Sequence, residues 1–459
     1  MRLRTKQAGS KATAARIMQA IFRRMNSEST PQFSRRVIHY PLNLMSRGML
    51  LILMAVTSIV AYAQLNRERG NGSAGVPELQ FFEHRIGFDH AEGITTIDIN
   101  GDGRPDLVSG AYWYENPGPG GGEWKRQQYR TVEITGEFVS DCGEWAVDVN
   151  HDGAPDLVTV GWQSDGLWWY ENPKKTGVLW QRHLIAHTVK TEGGWMADLN
   201  GDGKPELALG HYGHSGVIWV DFSGSEPKVH KAGGSEQDGH GIGIADIDGD
   251  GKSDLLTPFG WFKNIDANQD KWEWRGEWKL GESGFPIIGY DVNRDGKTDV
   301  IYGRGHSYGL YWLEQGANGE WKKHTIDESF SQVHVLKLVD IDGDGQMELL
   351  AGKRYRGHNG RDPGSYDPLV IYYYKIDHTG NFTRVSISVN GTAAGGTQFI
   401  TEDLDGDGDL DIAVAGKTGV HLLESLKVNR VAPAQRERET LTYKEWPYKG
   451  EGTELPANP

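Results

Sequence analysis

A single cysteine, Cys142, stands in 459 residues, so no disulfide can form within the chain and stability must come from packing and bound ions. The apolar run Met49–Ala63 has fifteen residues, short of the roughly 20 that a membrane-spanning helix needs. Basic stripes are also missing. Residues 1–63 hold ten of the 48 Lys and Arg and one of the 63 Asp and Glu, which leaves the remainder at a net charge of −24. Such a chain lacks the electrostatic footprint of a nucleic-acid binder.

The same apolar run ends in Ala61-Tyr62-Ala63, a small-x-small pattern that suits signal peptidase. Residues 1–63 therefore read as a signal peptide with an extended n-region and 64–78 as a polar linker. Residues 79–426 read as one repeat domain and 427–459 as a polar tail. The expected location is secreted or periplasmic, with no stable membrane insertion after cleavage.

What the chain has in quantity is one nine-residue pattern, present seven times. Its copies begin at 98, 148, 198, 246, 291, 340 and 403. Positions 1, 3, 5 and 9 carry Asp98, Asn100, Asp102 and Asp106 in the first copy and Asp148, Asn150, Asp152 and Asp156 in the second. The third has Asp198, Asn200, Asp202 and Glu206, and the fourth Asp246, Asp248, Asp250 and Asp254. Asp291, Asn293, Asp295 and Asp299 follow, then Asp340, Asp342, Asp344 and Glu348, and last Asp403, Asp405, Asp407 and Asp411. Position 6 is always Gly. Closely spaced carboxylates and a turn-permitting Gly suit a hard cation that takes oxygen ligands, so up to seven structural Ca2+ ions are expected. A polar turn without metal is the plainer alternative for any one copy. The pattern closes at nine residues and runs into short apolar stretches such as Leu107-Val108, which excludes an EF-hand between helices. Summed over these positions the seven loops carry −24, so the acidity of the domain resides in them.

The period is 45 to 50 residues, except for the last step. One strand enters each loop, a second leaves it, a third is aromatic-rich, and a fourth has the form W-x-(R/K)-H-x-I, as in Trp180–Ile185 and Trp321–Ile326. Four antiparallel strands per unit predict an all-β fold, a seven-bladed β-propeller. The segment Gln80–Ile86 is a fourth-type strand ahead of any loop, so it is expected to complete the last blade beside 419–426. The fourth-strand histidines, His84, His183, His230 and His324, recur with the blade and read as structural.

These loops and strands resemble FG-GAP/VCBS repeats over roughly 79–426. More narrowly, Trp180-Gln-Arg-His-Leu184 and the run from His334 through Gly345 to Glu348 are similar to the propeller domain of the aldos-2-ulose dehydratases. That resemblance implies removal of water from a keto-sugar with the help of a bound metal.

Chemistry is expected at the propeller face opposite the loops. The residue six before each loop lies about 20 Å from it along a strand rising roughly 3.3 Å per residue. That offset selects Glu92, Cys142, Glu192, His240, Phe285, His334 and Thr397. The ends of the second strands add Trp113, Trp162, His211, His214, Trp261, Arg304, His306, Lys353, Arg354 and Lys417, and an insertion over 353–368 adds more cations. Three readings stand side by side. His240 and His334 with Glu92 or Glu192 suit a transition metal such as zinc or manganese, with lyase or dehydratase chemistry. In that reading His240, His334, Glu192 and Arg304 are the catalytic set and converge in one pocket. Trp113, Trp162, His211, Trp261, His306, Lys353 and Arg354 are then expected to bind a sugar. Alternatively the same rim binds carbohydrate, or a protein partner, as a non-catalytic adhesion or recognition module. In the third reading, its polar groups merely pair with one another. Cys142, flanked by Asp141 and Glu144, is a poor nucleophile because carboxylates raise a thiol pKa.

Overall fold

The computed structural model describes residues 79–188, 191–210 and 216–427. The predicted signal segment and linker, His211, His214 and nearly all of the tail lie outside these residues. Seven four-stranded antiparallel sheets and one two-stranded hairpin make up the sheet structure among the described residues. The fold is a seven-bladed β-propeller.

Blade one consists of Thr95–Ile97, Asp106–Ser109, Tyr112–Glu115 and Lys125–Gln128, in spatial order. The next five blades repeat this up-and-down order, with first strands at Gly143–Val147, Gly194–Ala197, Gly243–Ala245, Ile288–Tyr290 and Val333–Val339. Blade seven holds Phe399–Glu402, Asp411–Gly416 and Gly419–Ser425. Its fourth strand is Phe81–Gly87, which pairs antiparallel with Gly419–Ser425 in the register Phe81 to Ser425 and His84 to Leu422.

Alternation along the strands explains the packing. Successive side chains point to opposite faces, so each blade contributes to the interface on either side. In blade two Trp168 and Tyr170 pack toward blade one while Trp169 packs toward blade three. Seven apolar clusters result, one for each pair of neighbours, including Ile94, Leu107 and Tyr114 of blade one against Ala413, Ala415 and Leu422 of blade seven. The fourth-strand histidines belong to this framework. His183, His230 and His324 stack on Trp169, Trp219 and Trp312 of the third strands. His84, His183 and His324 also bond Glu424, Glu171 and Glu314.

Each loop is folded by its own carboxylates. The position 1 Asp accepts the N–H of the position 6 Gly in all seven copies, from Asp98 with Gly103 at 2.9 Å to Asp403 with Gly408 at 3.1 Å. That glycine has φ between +83° and +94°, a region that a side chain makes costly.

Position 9 does something the sequence pattern does not announce. Asp106 accepts the N–H of Ile99 at 3.0 Å with one oxygen and that of Asn116 at 2.9 Å with the other. Asp156, Asp254, Asp299 and Asp411 clip position 2 of their loops to the end of the third strand in the same way. Glu348 holds position 2 through Ile341, and Glu206 holds position 2 through Leu199 and position 3 through the N–H and Nδ2 of Asn200. All seven of these acids are at most 1% exposed.

Loss of a clip strands two buried N–H groups, each costing about 1–3 kcal/mol. Asp254→Ala is therefore expected to destabilise the protein by about 2–5 kcal/mol in a denaturant titration. A loss below about 1 kcal/mol would show that water replaces the carboxylate at little cost.

Candidate functional site

At the ends of the first strands remote from the loops, side chains from several blades meet. Glu192, just before the first strand of blade three, receives His240 Nε2 at 3.0 Å and His334 Nε2 at 3.1 Å on one oxygen. His306, from the turn after the second strand of blade five, places its Nε2 3.1 Å from His240 Nε2. The candidate ligand atoms of Glu192, His240, His306 and His334 all lie within 4.8 Å of one another, and none of these residues is more than 8% exposed.

The other ring nitrogens are committed. His240 Nδ1 donates to the Ser283 carbonyl, and His334 Nδ1 donates to the Gly396 carbonyl at 2.8 Å. His306 Nδ1 donates to Asp362 Oδ2 at 2.9 Å. A carbonyl or carboxylate can only accept, so these bonds fix the proton of a neutral ring on Nδ1. Nε2 of His240 and of His334 then face one Glu192 oxygen, and Nε2 of His306 faces that of His240. Burial first, and then Arg354, push His334 down to about 4, which keeps it neutral. Burial likewise lowers His306, against the pull of Asp362. Oriented imidazoles with an Nδ1–H···O bond are how proteins prepare metal ligands.

One cation is built in. Arg354 Nη1 donates to Glu192 at 3.1 Å and to His334 Nε2 at 3.0 Å, while Nη2 grips both oxygens of Glu92 at 2.8 and 2.7 Å. Burial would raise both carboxyls, but Arg354 together with His90 at Glu92 and with His240 and His334 at Glu192 outweighs it and holds both below the usual carboxylate range. Above this layer sits the insertion of blade six. Asp362 bonds His306 on one oxygen and His358 Nδ1 on the other at 2.7 Å, and the His358 ring stacks on His306 at 4.5 Å. His358 is half-exposed. A depression of about 400 Å³ opens beside His240, lined by Glu236, Asp238, Phe259 and Glu282.

The expected pocket is thus partly assembled. Glu192, His240 and His334 meet, joined by His306 and Arg354 from the sugar-binding set. Arg304 does not join them. Its side chain runs beside Gly281 into a gap of about 270 Å³ between blades four and five, among Trp278, Tyr302, Trp321 and Lys323. Trp113 and Trp261 are buried in the interfaces of blades one with two and four with five, because they belong to third strands whose side chains pack blade against blade. Trp162 stacks on Phe138 of the hairpin Ile134–Thr135 and Phe138–Val139. Lys353 is fully buried and holds Ser331 Oγ at 2.9 Å and the Gly364 carbonyl at 2.8 Å, so it props up the insertion. Cys142 is buried, with its thiol pushed well up by burial and then by Glu92. Asp362 and the two carbonyls are roles that residue spacing leaves invisible, since they come from an irregular loop and from backbone.

The FG-GAP-like repeat model matches residues 148–209, 198–257 and 291–351. These stretches of the chain are FG-GAP-like repeats. Over 112 residues the chain is 33% identical to the rhamnogalacturonan endolyase YesW of Bacillus subtilis (strain 168), a stretch of 23% of this chain and 17% of that protein. Among solved structures, an Agrocybe aegerita lectin that recognises non-reducing terminal N-acetylglucosamine aligns with 14% identity and a TM-score of 0.39, over 81% of this chain and 96% of its own. The exotype rhamnogalacturonan lyase YesX aligns with 12% identity and a TM-score of 0.41, over 76% of this chain and 74% of its own. These matches leave the narrower dehydratase resemblance without support.

Removing one partner of a buried ion pair costs about 3–5 kcal/mol because the remaining charge is stranded. Arg354→Met strands Glu92 and Glu192 together, so denaturant titration is expected to show a loss of at least about 3 kcal/mol. A loss under about 1 kcal/mol would mean that the two acids are neutralised some other way.

Proposed function

We propose that the protein is an exported, calcium-stabilised propeller that holds one zinc or manganese ion at its channel end and acts there on a carbohydrate as a lyase or dehydratase. The observation that carries this reading is the convergence of three Nδ1-anchored imidazoles on Glu192, their ligand atoms all within 4.8 Å of one another. Imidazole nitrogens gathered with a carboxylate in this way suit zinc or manganese, and Arg354 shares the same carboxylate as a resident cation. Glu192, His240, His306 and His334 would hold the ion. When bound, it supplies Lewis acidity that polarises a sugar carbonyl or carboxylate.

The chain's own groups supply the rest. Arg354 keeps Glu192 ionised, and Asp362 fixes the ring of His306. His358, half-exposed and oriented by the same Asp362, is placed to take or return a proton at Nε2. A carbohydrate substrate is suggested by the similarity to the rhamnogalacturonan endolyase. Calcium belongs in the nine-residue loops, where clustered carboxylates such as Asp403, Asp405 and Asp411 lie within 4.8 Å. The burial of the four ligands favours one second reading, a structural metal in a non-catalytic carbohydrate-recognition module.

Mild chelation followed by elemental analysis separates weakly held calcium from the central ion. Wild-type protein is expected to keep about one equivalent of zinc or manganese, and the His240→Ala/His334→Ala variant less than about a tenth of that. Wild type, but not the variant, is expected to release unsaturated or dehydrated sugar from a panel of pectic and neutral oligosaccharides. No retained transition metal in the wild type would overturn the proposal. Retained metal without turnover of any sugar would select the non-catalytic reading.

A further inference from the structure

The calcium loops are not equivalent, and the difference lies in a residue outside them. On the third strand, the ladder places one side chain opposite position 9 of each loop, as Lys375 is opposite Glu348. Continued through the other ladders, that site holds Glu115, Glu171, Asp221, Lys263, Glu314 and Glu424 in blades one to five and seven. It is acidic in five blades and Lys in blades four and six.

Loop position 3 changes in step. It is Asn in blades one, two, three and five, each with an acid on the third strand. It is Asp in blades four and six, each with a Lys there. The contacts show why. In blade five Asn293 Nδ2 donates to Glu314 at 3.4 Å. In blade four the donor is reversed: Lys263 Nζ bonds Asp248 of position 3 and reaches Asp250 of position 5 at 2.7 Å. In blade six Lys375 Nζ bonds Asp342 and lies 3.9 Å from Asp344. The ammonium thus sits between the two carboxylates that a calcium ion would need.

We propose that Lys263 and Lys375 are resident counter-ions that take the place of calcium in blades four and six. This rests on calcium binding by the remaining loops. Loops four and six have the ligand set of a calcium loop but do not accept the ion, because a tethered ammonium already satisfies their inner carboxylates and would have to be expelled into water. Their charge balance then survives chelation. Blade seven pairs Asp405 of position 3 with Glu424 and has no such lysine among the described residues, so nothing there substitutes for the ion.

Equilibrium dialysis with radioactive calcium counts the sites directly. Wild type is expected to bind no more than five ions per chain, and the Lys263→Met/Lys375→Met variant two more than wild type. Seven ions in the wild type, or no gain in a folded variant, would overturn the proposal. Binding of none by either protein would remove the calcium reading itself and this inference with it. Amine labelling of the wild type, read by mass spectrometry, needs no variant. Lys263 and Lys375 are expected to label equally with calcium and with chelator, and a severalfold rise on adding calcium would show that the ion displaces them.

Discussion

The structure depends on a buried carboxylate at the end of each loop. Position 9 is the first residue of the second strand, yet its two oxygens reach back to position 2 and, in the five Asp copies, forward to the end of the third strand. In those five blades three segments are tied at one atom group. Burial pushes these acids up, to about 6 for Asp106, Asp156 and Asp299 and about 7 for Glu206, Asp254, Glu348 and Asp411. Backbone N–H donors work against that rise, and a cation in the loop would act in the same direction. The first strand of every blade hangs from this knot, and the channel-end residues sit at its far end.

That far end is also an electrostatic construction. Glu92, Glu192 and Arg354 are buried together with three imidazoles, a concentration of polar groups that an apolar core would not need. Burying charge costs several kcal/mol per ion unless each finds a partner. Here the pairing is nearly complete, with Arg354 shared among Glu92, Glu192 and His334, and the Nε2 atoms of His240 and His306 3.1 Å apart. The Nδ1 bonds to Ser283, Gly396 and Asp362 hold the three rings with Nε2 turned toward one another and toward Glu192, the orientation in which the proposed ion would be held.

Much of this was legible in the residues. The nine-residue pattern and the aromatic third strands gave blade number and strand order, because side-chain alternation and turn chemistry are local. The offset of six before the loop found Glu192, His240 and His334, since a strand of constant rise carries that position to the same height in every blade. Arg304, Trp113 and Trp261 were misplaced for a related reason. Position along a strand gives height, whereas the side on which a residue projects decides whether it meets the axis or a neighbouring blade. Residue spacing makes His306 a sugar contact and gives Asp362 no role. Both lie in irregular chain after a second strand, where no period applies. The clip at position 9 was hidden because a carboxylate that binds backbone N–H groups looks, in sequence, like one that binds metal.

A crystal structure of the protein as purified, with anomalous scattering recorded on both sides of the zinc and manganese absorption edges, tests the central claim most directly. The account predicts one edge-specific peak within about 2.0–2.2 Å of Nε2 of His240, His306 and His334 and of a Glu192 oxygen. Clear density for those four side chains with no anomalous peak between them, and only water or a direct hydrogen bond in its place, would contradict it.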